Sequence, residues 1–203
     1  MIIAVDGPAA SGKGTIARAL ATHYRLPHLD TGLLYRAVGV GTARMGGDPD
    51  CENDAVAACR FDEALLADPE LRSEAAGALA SRVSRHPGVR AALLAYQQDF
   101  ARQPSGAVLD GRDIGTVIAP AADAKLFVTA SAEVRAERRH REDATTSYND
   151  ILADIRARDA RDSGRSAAPL RQAEDADLLD TTNLTIGAAV QRAIALVEAR
   201  IRR

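Results

Sequence analysis

The residue types that phosphate chemistry requires lie close together near the start of the chain, in Gly7-Pro8-Ala9-Ala10-Ser11-Gly12-Lys13-Gly14-Thr15. The spacing G-x-x-x-x-G-K lets glycines curl backbone N–H groups around phosphate oxygens, while a helix beginning at the same place adds its positive end. Lys13 would reach the outer phosphates. Of the 26 basic side chains only Lys13 and Lys125 are lysine. A slim ammonium fits inside such a loop where a guanidinium fork does not. A glycine-rich turn with a solvated lysine is the competing reading, and the strand-loop-helix context argues against it. A second group lies far along the chain, where Arg158, Arg161 and Arg165 fall at i, i+3 and i+7 and share a face while a helix lasts. Asp159 and Asp162 interleave with them, which by itself suits a solvated, ion-paired helix. The basic run Arg135, Arg138, Arg139 and Arg141 reads as a solvated helical face.

These residues need elements to hold them. Met1–Val5 is an apolar run broken by Asp6-Gly7-Pro8, which predicts a buried strand ending at the loop. Helices are predicted at Ile16–Tyr24 and Gly32–Arg44, the second stopped by Gly46-Gly47-Asp48-Pro49-Asp50. Residues 55–102 read as helical, punctuated by Asp68-Pro69 and His86-Pro87-Gly88. Further strands are predicted at Gly106–Leu109, Ala124–Thr129 and Ala176–Leu179, and helices at 131–142, 148–162 and Ile186–Ile201. Strands alternating with helices imply a parallel sheet flanked by helices, with ligands beyond the carboxyl ends of the strands. The loops to watch are therefore Asp6–Thr15, Leu29–Gly32 and Asp110–Gly115.

Composition narrows the function classes. The 203 residues are 46% apolar, enough for a sizeable core and too many for a disordered chain. The longest uncharged run, Thr181–Gln191, is too short and too polar to cross a bilayer. No basic stretch precedes an apolar one at the start of the chain, so no secretory signal is visible and a cytoplasmic location is expected. A net charge of −2, seven aromatic residues and no Trp argue against nucleic-acid binding. Cys51 and Cys59 match no zinc spacing and are expected as free thiols. His23, His28, His86 and His140 suggest no site.

Four ordered motifs between residues 7 and 170 carry a family resemblance. Gly12-Lys13-Gly14-Thr15 resembles the G-K-G-T loop of nucleoside monophosphate kinases, members of the P-loop NTPase fold class. Asp30-Thr31-Gly32-Leu33-Leu34-Tyr35-Arg36 resembles the D-[ST]-G-x-x-Y-R segment of bacterial cytidylate kinases. Val108–Val117, reading V-L-D-G-R-D-I-G-T-V, resembles their D-G-R-D-x-G-T-V segment. Arg158–Arg165, with Ala168-Pro169-Leu170 behind it, resembles their lid. The resemblance implies a P-loop NTPase-type α/β fold, with a core at 1–30, 103–147 and 171–203. It also implies a short helical acceptor-binding segment at 31–102 and a mobile lid at 148–170. Longer family members insert a small antiparallel sheet where Phe61–Ala80 here shows no alternating pattern, so that sheet is expected to be missing or replaced by helix.

The same resemblance implies ATP-dependent phosphorylation of CMP and dCMP by a monomer, with Mg2+ as cofactor. ATP would sit on Gly7–Thr15, with the turn near Asp180–Asn183 around it. The position after Lys13 is Gly14 rather than a metal-binding Ser or Thr, which leaves the metal among phosphates and waters. Asp110, ending an apolar strand, occupies the place of a carboxylate that holds those waters. Arg36 and Arg112 would grip the acceptor phosphate and Thr31 would add a hydroxyl. Asp113 would accept from the exocyclic amino group of cytosine, which a uracil carbonyl cannot offer. By resemblance Ser81 and Arg90 complete the base site, Arg72 joins the acceptor side, Arg158, Asp162 and Arg165 of the lid bind substrate, and Lys13, Arg112, Arg158 and Arg161 are the catalytic residues. The alternatives are a kinase for another monophosphate or a small metabolite, against which Asp113 and Ser81 stand, and a nucleotide-binding switch, which would not need these arginines.

Overall fold

The structure, a computed structural model, describes residues 1–142 and 144–202. Its elements follow the hydrophobic pattern closely. β1 (Ile2–Asp6) leads through the loop into α1 (Lys13–Tyr24), and β2 (His28–Asp30) runs directly into α2 (Thr31–Arg44). After α3 (Glu52–Ala57) come two 3-10 turns, Glu63–Ala67 and Pro69–Arg72, then α4 (Glu74–Val83) and α5 (Pro87–Arg102). The chain continues through β3 (Ala107–Gly111), a π-helical turn at Ile114–Ile118, β4 (Ala124–Thr129), α6 (Ala132–Glu142), α7 (Tyr148–Ser163), β5 (Asp177–Asp180) and α8 (Ile186–Ile201).

Two compact units can be distinguished, one of residues 1–29 and 101–203 and the other of residues 30–100. In the first, the described strands form a five-stranded sheet in the order β2-β3-β1-β4-β5. β1 lies at its centre, parallel to β3 with Asp6 opposite Gly111, and parallel to β4 with Asp6 opposite Phe127. Ile3, Val5, Leu126, Val128 and Leu179 of the sheet pack with Ile16 and Leu20 of α1 and Ala193 and Val197 of α8. This apolar layer holds the C-terminal ends of β1, β3 and β4 in register, which is where the loops that matter begin. A separate apolar cluster of Ala136, Ile151 and Ile155 joins α6 to α7.

The second unit has its own core, in which Ala37 and Val40 of α2 meet Leu71 and Ala76, with Phe61, Leu65, Leu66 and Leu79 packed around them. No strand occurs between residues 61 and 80; 3-10 turns and α4 take that place, as the absence of alternation predicts. Capping explains the punctuation. The Asp62 and Asp68 side chains accept from Ala64 N and Glu70 N, and Ser73 Oγ accepts from Ala76 N to open α4. The expectation of helix throughout 55–102 is thus corrected: short 3-10 turns break it, because Asp62, Asp68 and Ser73 stop one element and start the next. The second correction is β2, expected as loop. A three-residue strand is too short to show a period, and only pairing beside β3 reveals it.

Candidate active site

The phosphate loop is built by close approach and by left-handed backbone. Gly7 passes so near β4 that a Cβ there would lie 2.0 Å from the Val128 carbonyl oxygen, which no side chain tolerates. Gly12 precedes α1 at φ +88, and Ala10 holds φ +59, a conformation uncommon for a residue with a Cβ. Lys13 Nζ donates to Pro8 O at 3.3 Å, folding its stem back over the loop. Ser11 is fully buried and its Oγ has no hydrogen-bond partner within the protein. An orphaned buried hydroxyl in a loop that opens a helix suits a phosphate oxygen. A cavity of about 480 Å³ adjoins the loop, lined by Ala10–Ile16, by Arg138, Arg139 and Arg141 of α6, and by Thr181, Leu184 and Ile186. Thr181 Oγ1 lies 3.1 Å from the Ser11 and Thr129 carbonyl oxygens and accepts from Arg138 Nη1 at 3.1 Å. The turn expected near Asp180–Asn183 therefore does border the loop.

Carboxylates gather at the ends of β1 and β3. Asp6 is buried, and its two oxygens accept the Ile114 and Gly115 N–H groups at 2.8 Å each. Burial pushes its pKa up to about 7 despite those two hydrogen bonds, with the neighbouring Asp113 charge pushing the same way and Lys13 opposing. Asp110, 2% exposed, pairs through Oδ1 with His28 Nε2 at 2.7 Å. Its Oδ2 faces α1, 3.6 Å from where a Gly14 Cβ would stand. Among the described residues no cluster of three or more His, Cys, Asp or Glu could cage a metal ion. One buried carboxylate beside a phosphate loop fits Mg2+, which keeps most of its ligands as water and phosphate. Asp113 is buried just before the π-helical turn.

Two arginines, one just past β3 and one just past α7, meet on a single acid at the end of α7. Asp162 is 1% exposed; it accepts from Arg112 Nε at 2.9 Å and from Arg165 Nη2. Burial alone would raise its pKa, but the Arg112, Arg165 and Arg158 charges outweigh burial and hold it below the usual carboxylate range. Arg161 is exposed one residue earlier, and Gly164 ends the helix where its sequence position predicts.

In the second unit, Thr31 is buried at the first position of α2, where the Asp30 side chain accepts from Gly32 N at 2.9 Å. Arg36 Nη1 donates to Leu71 O and Ser73 O, at 2.7 and 2.9 Å, so its guanidinium is held over the start of α4. Arg90 lies over the Tyr35 ring, 5.5 Å from its centroid, and Ser81 is buried on α4. Arg72 ends the second 3-10 turn and is exposed.

The solvated-face reading holds for Arg141, which is exposed, and is corrected for Arg135 and Arg138. Arg135 is buried against Ala9, Ala130 and Asp159, and Arg138 donates to Thr181. Periodicity missed them because their partners lie in other elements; the only available signal was the i, i+3 spacing of two arginines on one short helix. His28 was likewise invisible as a partner of Asp110, 82 residues away.

The cytidylate kinase family model matches residues 3–199, nearly the whole of this α/β framework. The chain belongs to the cytidylate kinase family. A cytidylate kinase of Xanthobacter autotrophicus is 62% identical over 205 residues, spanning 98% of each chain. Another, of Cereibacter sphaeroides, is 60% identical over 202 residues, spanning 98% of this chain and 95% of that relative. A gluconokinase from Sinorhizobium meliloti shares the fold, with a TM-score of 0.59 at 15% identity over 99% of this chain and 93% of that one. No described helix is long and apolar enough to cross a membrane.

Proposed function

We propose that this member of the cytidylate kinase family transfers the γ-phosphoryl group of ATP to CMP and dCMP, forming CDP or dCDP and ADP. An open phosphate loop with the buried Ser11 hydroxyl directed to no protein group carries the reading; the family supplies the acceptor. An oxygen of the CMP phosphate attacks the γ-phosphorus in line, and the bond from that phosphorus to the ADP oxygen breaks. A phosphate dianion is already nucleophilic, so no general base is needed. The work of the protein is positioning and charge stabilisation.

Gly7–Thr15 bind the triphosphate, with Lys13 as a point charge on its outer phosphates. Arg36, Arg112 and Thr31 hold the acceptor phosphate, and Asp113, Ser81 and Arg90 read cytosine. Segment 148–170 acts as a lid that brings Arg158, Arg161 and Arg165 over the transferring group and excludes water, with segment 31–102 as the acceptor side of a core at 1–30, 103–147 and 171–203. The buried Asp162 keeps Arg112 and Arg165 aligned. Mg2+, when bound, would spread the charge of the phosphates, and Asp110 would hold its water ligands. The enzyme acts as a cytoplasmic monomer.

A coupled ADP-release assay offering CMP, dCMP, UMP, AMP and GMP separately tests the reading. Fast turnover confined to CMP and dCMP is expected. Activity spread across UMP or AMP would refute the cytosine-reading roles, and ATP binding without turnover of any acceptor would refute the activity.

A further inference from the structure

Arg135 has no part in the roles above, yet it is among the most completely engaged side chains of the first unit. It projects from α6 and is 4% exposed. Its Nε donates to Ala130 O at 2.9 Å, just past the end of β4. Nη1 donates to Ala9 O of the phosphate loop at 3.2 Å and to Asp159 Oδ1 of α7 at 3.0 Å, and Nη2 reaches Asp159 Oδ2 at 2.5 Å. One planar cation thus ties the C-terminal end of β4, the phosphate loop and α7 together. Asp159 follows Arg158 directly and precedes Asp162 by about one helical turn.

Elsewhere α6 and α7 meet through the apolar contact of Ala136, Ile151 and Ile155 and through two solvent-facing pairs. These pairs, Arg156 with Glu133 at 2.7 Å and Arg139 with Asp154 at 3.7 Å, are screened by water and hold geometry weakly. Apolar contact is non-directional and fixes neither the rotation nor the sliding of one helix on another with the precision of a two-toothed ion pair. A buried guanidinium cannot release one partner cheaply, because the charge left behind is uncompensated. A displacement of Ala9 therefore moves Asp159, and the reverse.

We infer that Arg135 is a positioning residue that sets the register of α7, and hence of Arg158 and Arg161, against the phosphate loop, so that nucleotide in the loop orders α7. The inference rests on the proposed kinase activity for its kinetic consequence, but the coupling itself is a property of nucleotide binding alone.

Asp159→Asn keeps the shape and one acceptor oxygen while removing the charge; Arg135→Lys keeps the charge while removing the fork. Both are compared with wild type by hydrogen exchange across residues 148–162, with and without ATP and with no acceptor present. ATP should slow exchange there in wild type. In each variant that slowing should fall to a third or less, although ATP binds with a Kd within about tenfold of wild type. In steady state kcat should drop about 10- to 100-fold with KM for CMP within about twofold, as expected when reacting groups are misplaced rather than lost. The double variant should be no worse than the poorer single one. ATP protection of α7 that survives in both variants would overturn the inference, as would kinetic losses that multiply in the double. A variant that merely loosens the fold would lower Tm and raise exchange in every element, with and without ATP, and that pattern also counts against it. Wild-type protein that protects α7 on binding ATP yet phosphorylates no monophosphate would overturn the activity and leave the coupling standing.

Discussion

Replacing Gly14 by alanine should separate stability from activity. Gly14 lies in the first turn of α1, and a Cβ there would meet Asp110 Oδ2 at 3.6 Å and Arg18 Nη1 at 3.9 Å as its nearest neighbours. Both are ordinary van der Waals distances, so nothing has to move. Alanine loses less backbone entropy than glycine on entering a helix, a gain of about 0.5–1 kcal/mol. For a chain of this size that raises Tm by about 1–4 °C. The added methyl nevertheless fills the space between the Asp110 carboxylate and the phosphate loop, where the hydrated cation is proposed to sit. Turnover should therefore fall at least about tenfold, equivalent to about 1.4 kcal/mol of transition-state stabilisation, and the Mg2+ concentration giving half-maximal rate should rise. Thermal melts and the ADP-release assay at graded Mg2+ check both halves. Unchanged turnover and Mg2+ dependence would refute the use of that space, and a lowered Tm would refute the packing argument.

Three further outcomes are expected. Lys13→Ala should lower kcat about 100- to 1,000-fold with little change in Tm, since Lys13 folds over the loop and not into the core; near-normal turnover would remove it from the mechanism. Asp113→Ala should reduce kcat/KM for CMP at least about tenfold more than for UMP, and equal losses would show that Asp113 does not read the base. Asp162 has a folded pKa below its unfolded value, so its ionised form stabilises the native state above about pH 4 and that contribution disappears as pH falls through the folded pKa. Asp162→Asn should accordingly be about 3 kcal/mol less stable at pH 7 and show a shallower loss of stability below pH 4 in denaturant titrations; an unchanged acid slope would contradict the pairing of that charge with Arg112 and Arg165.

What the sequence determined by itself was local chemistry. The phosphate loop was legible because its glycines, Ser11 and Lys13 act through backbone geometry over nine consecutive residues, and the strand and helix around it carry their own periods. The same holds for α8, whose bounds Ile186–Ile201 follow from amphipathic spacing alone, and for the end of α7 at Gly164. Tertiary structure decided everything that depends on which ends of which elements meet. The order β2-β3-β1-β4-β5 puts His28 beside Asp110 and makes a strand of three residues that carry no pattern. The seating of α6 and α7 turns Arg135 from a member of a basic run into a buried cation linking Ala9 to Asp159, 126 and 24 residues away. A charged side chain looks the same in sequence whether solvated or buried, because its state is set by partners distant along the chain, and only packing supplies them.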